Sequence, residues 1–253
     1  MRVLPQLIAR DIASRLIGSY SGWVWVVLNP LLLLAVYAFV FGLIFRARVP
    51  AGLDMPFIAW LAVALWPWLM FSEGVLRGAQ AIREHAALIS KVALRRELLV
   101  VSSVSAVFLL HLAGYLGVLL VLQLTATAIS WLALGNLLFH LATLYVFAAG
   151  LALALAALQV FVRDLEQAVP TLFMFWFFLT PILYAPDFLP GDMGQWLQLN
   201  PVTWWMEGIR SALLHGQRLP GMDALWLVGF AALSGWGGLA LFRRLCPHFE
   251  DFL

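Results

Sequence analysis

Residues 98–162 run for 65 positions without a single Asp, Glu, Lys or Arg. A helix drawn from such a stretch has no charged face to give to water, and about 20 apolar residues suffice to cross ~30 Å of hydrocarbon. The run is long enough for two crossings. The break between them is predicted at residues 125–136, where Thr125, Ser130, Trp131, Gly135 and Asn136 cluster. A helical hairpin is the expected product, because a backbone surrounded by lipid must satisfy its own polar groups.

The remainder of the chain extends this reading. It is 64% hydrophobic and 11% charged, against about 45–50% and about 25% for a soluble domain, and its mean hydropathy is +0.95. The 253 residues accommodate six spans with short connections and leave no room for a separate soluble domain. The expected fold is an all-α integral membrane domain over residues 1–253. Besides the hairpin, spans are predicted at 23–45, stopped by Arg46, Arg48 and Pro50; at 57–72, with Trp60, Trp66 and Trp68 as interfacial anchors and a kink at Pro67; at 167–185; and at 224–242, stopped by Arg243, Arg244 and Pro247.

Two segments have a different pattern. Within residues 1–21, Leu4, Leu7, Ile8, Ile12 and Leu16 share one helical face while Arg10, Asp11, Ser14 and Arg15 lie on others, which predicts an amphipathic helix in the interface. The apolar run that follows is too long for the core of a signal peptide. Residues 186–223 hold four of the twelve prolines, yet Trp196, Trp204, Trp205, Ile209 and Leu213 make them too apolar for a plain loop. They read either as short re-entrant helices dipping into the outer leaflet before the last span or as a helix resting on its surface.

Residues 73–97 form a charged island: Glu73, Arg77, Arg83, Glu84, Lys91, Arg95, Arg96 and Glu97, five of the fifteen basic residues among them and the only lysine of the chain. In a six-span arrangement eleven Lys and Arg fall on the island's side and four, Arg46, Arg48, Arg210 and Arg218, on the other. The positive-inside rule then makes both termini and the island cytoplasmic and turns residues 186–223 outward.

Several chemistries are excluded. A P-loop needs Gly-Lys-Ser/Thr, and the one lysine, Lys91, stands between Ser90 and Val92. The five histidines, at 85, 111, 140, 215 and 248, contain no i, i+4 pair, no Cys-x-x-Cys accompanies them, and no metal is expected. Cys246 is alone, so no internal disulfide can form. The formal charge of +2 is what orientation signals produce and does not imply nucleic acid as a partner. Charged groups are expected to be absent from span centres, where they are kept only for function. His111 and His140 are expected to hydrogen-bond within the hairpin, Glu73 to pair with Arg77, and Glu207 with Arg210. Aromatic residues recur at helical spacing in Tyr37, Phe41 and Phe45 and in Phe173, Phe177 and Tyr184. Ordinary packing and lipid-facing belts explain such rings as well as a lining for sugar faces does.

The order of motifs resembles one known family. Arg10-Asp11, GSYSGWVWVVLNP (18–30), VYAFVFGLIF (36–45), LWPWLMFSEGVLRG (65–78), LISKV (88–92), RREL (95–98), VRDLEQAVP (162–170), LTPILY (179–184) and NPVTWWMEGIRSALLHG (200–216) resemble the permease subunit of bacterial polysaccharide-exporting ABC transporters, along nearly the whole chain.

That resemblance implies a homodimer joined to two copies of a separate ABC ATPase, which binds the ATP and Mg that this chain does not, in a bacterial inner membrane. The cargo it implies is a lipid-linked glycan, O-antigen first, with capsular polysaccharide or teichoic acid as alternatives. It identifies residues 77–92 with the coupling helix that docks on the ATPase, with Arg77, Arg83, Glu84, His85, Leu88 and Lys91 as contacts. It makes Tyr37, Phe41, Phe173, Phe177 and Tyr184 candidates for the conduit lining, and Asn200, Pro201 and Arg210 parts of the outward gate. The rivals from other classes are a lipid-processing membrane enzyme, for which interfacial catalytic carboxylates or histidines are missing, and a membrane scaffold, which needs neither a re-entrant segment nor aromatic rows.

Overall fold

The architecture is taken from a computed structural model, which describes residues 3–16, 22–47, 49–50, 55–86, 94–125, 129–130, 133–191, 193–216 and 222–252. Every regular element among them is helical. In chain order these are α1 (Val3–Leu16), α2 (Gly22–Tyr37), which passes directly into a π-helical stretch Ala38–Ile44, α3 (Phe57–Glu84), α4 (Glu97–Leu124), α5 (Leu134–Phe161), α6 (Leu165–Phe178), α7 (Met193–Leu197), α8 (Pro201–His215) and α9 (Met222–Leu245). Short 3-10 turns lie at Pro186–Phe188, between α6 and α7, and at Cys246–Asp251, after α9.

Four helices among the described residues are long and apolar enough to cross a membrane: α3, α4, α5, and residues 223–250 comprising α9 and the closing turn. A shorter apolar helix covers Leu28–Ile44. The hairpin expected from the uncharged run is formed by α4 and α5, with Thr125 at the end of the first arm.

Helix α3 occupies the centre, flanked by α4, α5, α2, α6 and α8. Its 28 residues span about 42 Å at 1.5 Å per residue, which carries it well past the end predicted at Ser72. Residues 73–84 continue the helix because they keep an apolar stripe: Gly74, Val75, Gly78, Ala79, Ala81 and Ile82 are buried while Arg77 and Glu84 face outward. The island therefore begins as helix, and Glu73, expected at a span end, lies mid-helix. Glycines set how closely the neighbours approach. A Cβ on Gly78 would lie 2.7 Å from Val104 Cγ2 and 2.8 Å from Ala152 Cβ, and one on Gly114 2.7 Å from the Trp66 ring.

The tightest seam joins α5 to α9. A Cβ on Gly150 would run into the backbone of Ser234 and Gly235, and one on Gly238 into the carbonyl of Gly150. Small residues at this crossing bring two backbones into contact, as membrane helices do where lipid gives no hydrophobic drive for association.

Helix α6 stops at Phe178, short of the predicted 185. Leu179–Ala185 follows as irregular backbone from Thr180-Pro181 onward, where proline removes a helical donor. Thr180, Ile182, Leu183 and Ala185 are buried, which is the condition under which non-helical backbone persists at membrane depth. Helix α8 enters the bundle beside it, with Val202, Trp205, Met206 and Ile209 fully buried against α3 and α5. Its boundaries are written in the chain: Asn200 caps it by accepting from Val202 N at 3.1 Å, Pro201 takes the first turn, and Gly216 ends it at φ 62°.

Candidate functional site

Three groups of residues carry the candidate chemistry, at one end of the bundle, in its middle and at the opposite end.

The first lies where α1 packs on α4 and reaches α3 through Arg15. Asp11 Oδ2 accepts from Ser103 Oγ at 3.0 Å and from Ser102 Oγ at 3.4 Å, fixing α1 on α4. One turn on, Arg15 Nη1 donates to Glu73 Oε1 at 3.1 Å, and His111 Nε2 to Glu73 Oε2 at 2.9 Å. Arg77, the expected partner of Glu73, stands farther off at 3.9 Å. Burial lowers the Arg15 pKa from its ordinary value, and Glu73 opposes that shift. Beside this cluster a cleft of about 890 Å³ opens between α1, α2, α3 and α4. Trp25, Leu33, Leu69, Leu76 and Leu110 form its apolar wall, while Arg15, Glu73, Arg77, Gln80 and His111 form its polar end. His111 was expected to bond inside the hairpin; it reaches α3 instead. His140 makes its bond within its own helix, to Asn136 O at 2.8 Å, with its ring against Gly208 of α8.

Of the docking residues, Arg83 is paired with Glu166 in the first turn of α6. His85 caps α3 through Nδ1 to Ala81 O at 2.9 Å, and Glu84 is exposed. Leu88 and Lys91 lie outside the described residues. Nearby, Arg96 at the start of α4 donates to Cys246 O at 2.9 Å and pairs with Glu250, and Arg243 reaches Glu97 at 3.4 Å.

The second group is aromatic. Tyr37 stacks on Phe177 with centroids 5.4 Å apart and meets Phe41 edge-on at 6.2 Å, linking α2 to α6. Phe173 and Phe177 are buried among Trp68, Phe71 and Trp176, with which they make ring contacts of 5.4 to 6.4 Å. Tyr184 is half-buried and donates to Phe178 O at 2.8 Å. Tyr37, Phe41, Phe173 and Phe177 thus gather at the α2–α6 junction, and Tyr184 lies beyond the end of α6. The sequence reading missed their inner partners, although Trp68 with Phe71 and Phe173 with Trp176 stand at the i, i+3 spacing that places rings on one helix face.

The third group surrounds Arg210. Its guanidinium donates to Pro181 O at 2.6 Å and to Ile182 O at 2.8 Å, and lies 3.6 Å over the Trp60 ring. A planar fork meets two carbonyls of the irregular backbone while its face rests on an indole, an arrangement a lysine cannot reproduce. Asn200 completes the group by holding Leu179 O and Thr180 Oγ1 at 3.2 and 2.9 Å. The partners of Arg210 had no signal in spacing, since residues 60 and 181 are far from it in sequence.

Among the described residues no three His, Cys, Asp or Glu side chains converge as a metal set. A bundle of apolar helices with charges gathered at one end and buried irregular backbone at another is that of a membrane-embedded permease. The chain belongs to the ABC-2 type transporter membrane family, whose profile matches residues 3–214. It is similar to the O-antigen export system permease protein RfbA of Myxococcus xanthus, at 32% identity over 98% of this chain and 94% of that protein. It is 27% identical to the protein of the same name from Klebsiella pneumoniae, over 96% and 92% of the two chains. The polysialic acid transport protein KpsM of Escherichia coli is 22% identical over 94% and 91%. Family membership makes this chain the membrane component of an ABC transport system, which is completed by an ATPase.

Proposed function

We propose that this chain is the membrane-spanning subunit of an ATP-driven exporter that moves lipid-linked O-antigen across the bacterial inner membrane. It works as a homodimer with two copies of a separate ATPase that binds ATP and Mg. In this reading the first and fifth of six spans are α2 with its π-helical extension and α6 with the buried turn after it. Both termini are cytoplasmic, α1 lies in the interface, and α7 and α8 re-enter from the outside. The excess of Lys and Arg on the side of the island supports that orientation.

The observation that carries the reading is the cleft under α1. Its apolar wall and its end with two guanidiniums suit a ligand that is hydrocarbon at one end and polar at the other. The aromatic cluster at the α2–α6 junction supports a lining along which sugar faces slide, and the Arg210 cage supports a fixed outward gate. Capsular polysaccharide is the second reading, favoured by the similarity to KpsM.

Deletion of the gene tests the proposal. Lipid-linked glycan accumulating in the cytoplasmic leaflet, with the surface polymer lost, is the expected result; accumulation of an unrelated lipid overturns the cargo. Co-expression with the cognate ATPase should yield a complex that Arg83→Ala and Glu84→Ala weaken.

A further inference from the structure

The last residues of the chain are folded into the cytoplasmic end rather than trailing from it. Phe249 is fully buried, meeting Phe242 at 5.4 Å and Phe161 at 6.0 Å, while Phe252 meets Phe161 at 4.8 Å. Chain ends ordinarily fray unless something ties them down. Here the aromatic plug seats the 3-10 turn Cys246–Asp251 between the end of α5 and the start of α4, and that start is the exit of the charged island. Arg96, only 18% exposed, donates to Cys246 O at 2.9 Å and pairs with Glu250 from the same guanidinium; Arg243 adds its bond to Glu97 at 3.4 Å. At the entrance of the island, Arg83 is paired with Glu166 in the first turn of α6. The segment is therefore fastened at both ends to elements remote in sequence.

We infer that the C-terminal turn is a brace for the island: it holds the island's exit so that force applied there by a docked ATPase reaches the helices instead of being lost in local yielding. The inference rests on the reading of the island as the docking segment. Glu250 is largely exposed and its ion pair is weak by itself, so the seat is made by Phe249 and by the Arg96 bond to the carbonyl. The carboxylate chooses the orientation of the fork. Two of the three contacts at the exit come from residues beyond Arg244, so a subunit shortened there keeps its spans but loses the brace.

The test uses the complex with its ATPase in lipid nanodiscs and in cells, comparing Arg96→Gln, Arg96→Lys, Glu250→Gln and Phe249→Ala with the wild type. The expected result is an unchanged amount of complex, continued ATP turnover, and export reduced about 2- to 30-fold, the range in which residues outside either site alter coupling. Arg96→Lys should retain more export than Arg96→Gln. Glu250→Gln, which removes only the exposed pair, should fold normally and speed amide exchange at the start of α4 by less than Arg96→Gln does. Export and exchange equal to wild type in Arg96→Gln and Glu250→Gln overturn the brace. So does loss of the ATPase from a normally abundant Glu250→Gln chain, which makes the turn a docking contact instead. Failure of the wild type to bind the ATPase removes the docking reading and the brace with it, and is recognised because it needs no variant.

Discussion

Asn200 and Trp176 are bound side chain to side chain: the indole Nε1 donates to Asn200 Oδ1 at 2.8 Å, and the same oxygen caps α8 through Val202 N. One amide thus fixes the start of α8 on α6, while its nitrogen holds Leu179 O and Thr180 Oγ1. Asn200→Ala should lower stability by about 1–3 kcal/mol, a cap at about 1 plus the bonds lost to Trp176, Leu179 and Thr180, which are part-buried or exposed. Asn200→Asp keeps the cap and should fall between. Thermal unfolding in detergent measures both.

Glu73 gathers Arg15, Arg77 and His111. Glu73→Gln should destabilise the docking of α1 by about 1–3 kcal/mol, below the loss for a fully buried pair because the carboxylate is 40% exposed. Faster amide exchange along α1, with α4 and α5 unaffected, is the expected signature. Uniform exchange across all helices would show that the cluster does not act locally.

The α5–α9 seam makes a sharp contrast within one helix. Gly238→Ala places a methyl against the Gly150 carbonyl and should cost about 1–3 kcal/mol, since backbone cannot yield as a flexible side chain does. Gly229→Ala, with nothing within 4 Å of the added methyl, should be neutral or stabilising by up to about 1 kcal/mol. Melting temperatures of the two purified variants decide the matter.

Arg210→Lys should cost about 2–4 kcal/mol, because one ammonium cannot serve both the Pro181 and Ile182 carbonyls and lie flat on Trp60. The loss should appear as increased protease cleavage within residues 179–185 in intact vesicles. Trp60→Phe keeps a π face and should retain most of the stability.

The hairpin of α4 and α5 was legible because a charge-free run of 65 residues leaves few alternatives. Within residues 186–223 short helices were expected but the ends of α8 were not drawn, although Asn-Pro at one end and Gly at the other are signals of local geometry that need no tertiary context. Charge was a poorer guide to helix ends. Glu73, Arg77 and Arg83 were placed beyond a span ended at residue 72, yet the small residues between them, Gly74, Gly78 and Ala81, carry α3 onward, because closeness to α4 and α5 outweighs the polarity of the exposed stripe. The clusters around Glu73 and Arg210 depend on residues 28 to 150 positions away or on carbonyls, and neither leaves a pattern in spacing. Pairing of Glu73 with Arg77 was the nearest approach, and it found the weakest of the three contacts.

The crossing of α5 and α9 has one more consequence. Where glycine backbones touch at Gly150 and Gly238, no rotamer exists to absorb a shift, so the two helices must travel as a single body through any working cycle. A passage that widens and narrows has to do so along a boundary with slack in it. In the proposed exporter the meeting of α2 with α6, where Tyr37 and Phe177 lie flat against each other, would serve as such a boundary, for rings can glide where backbones cannot.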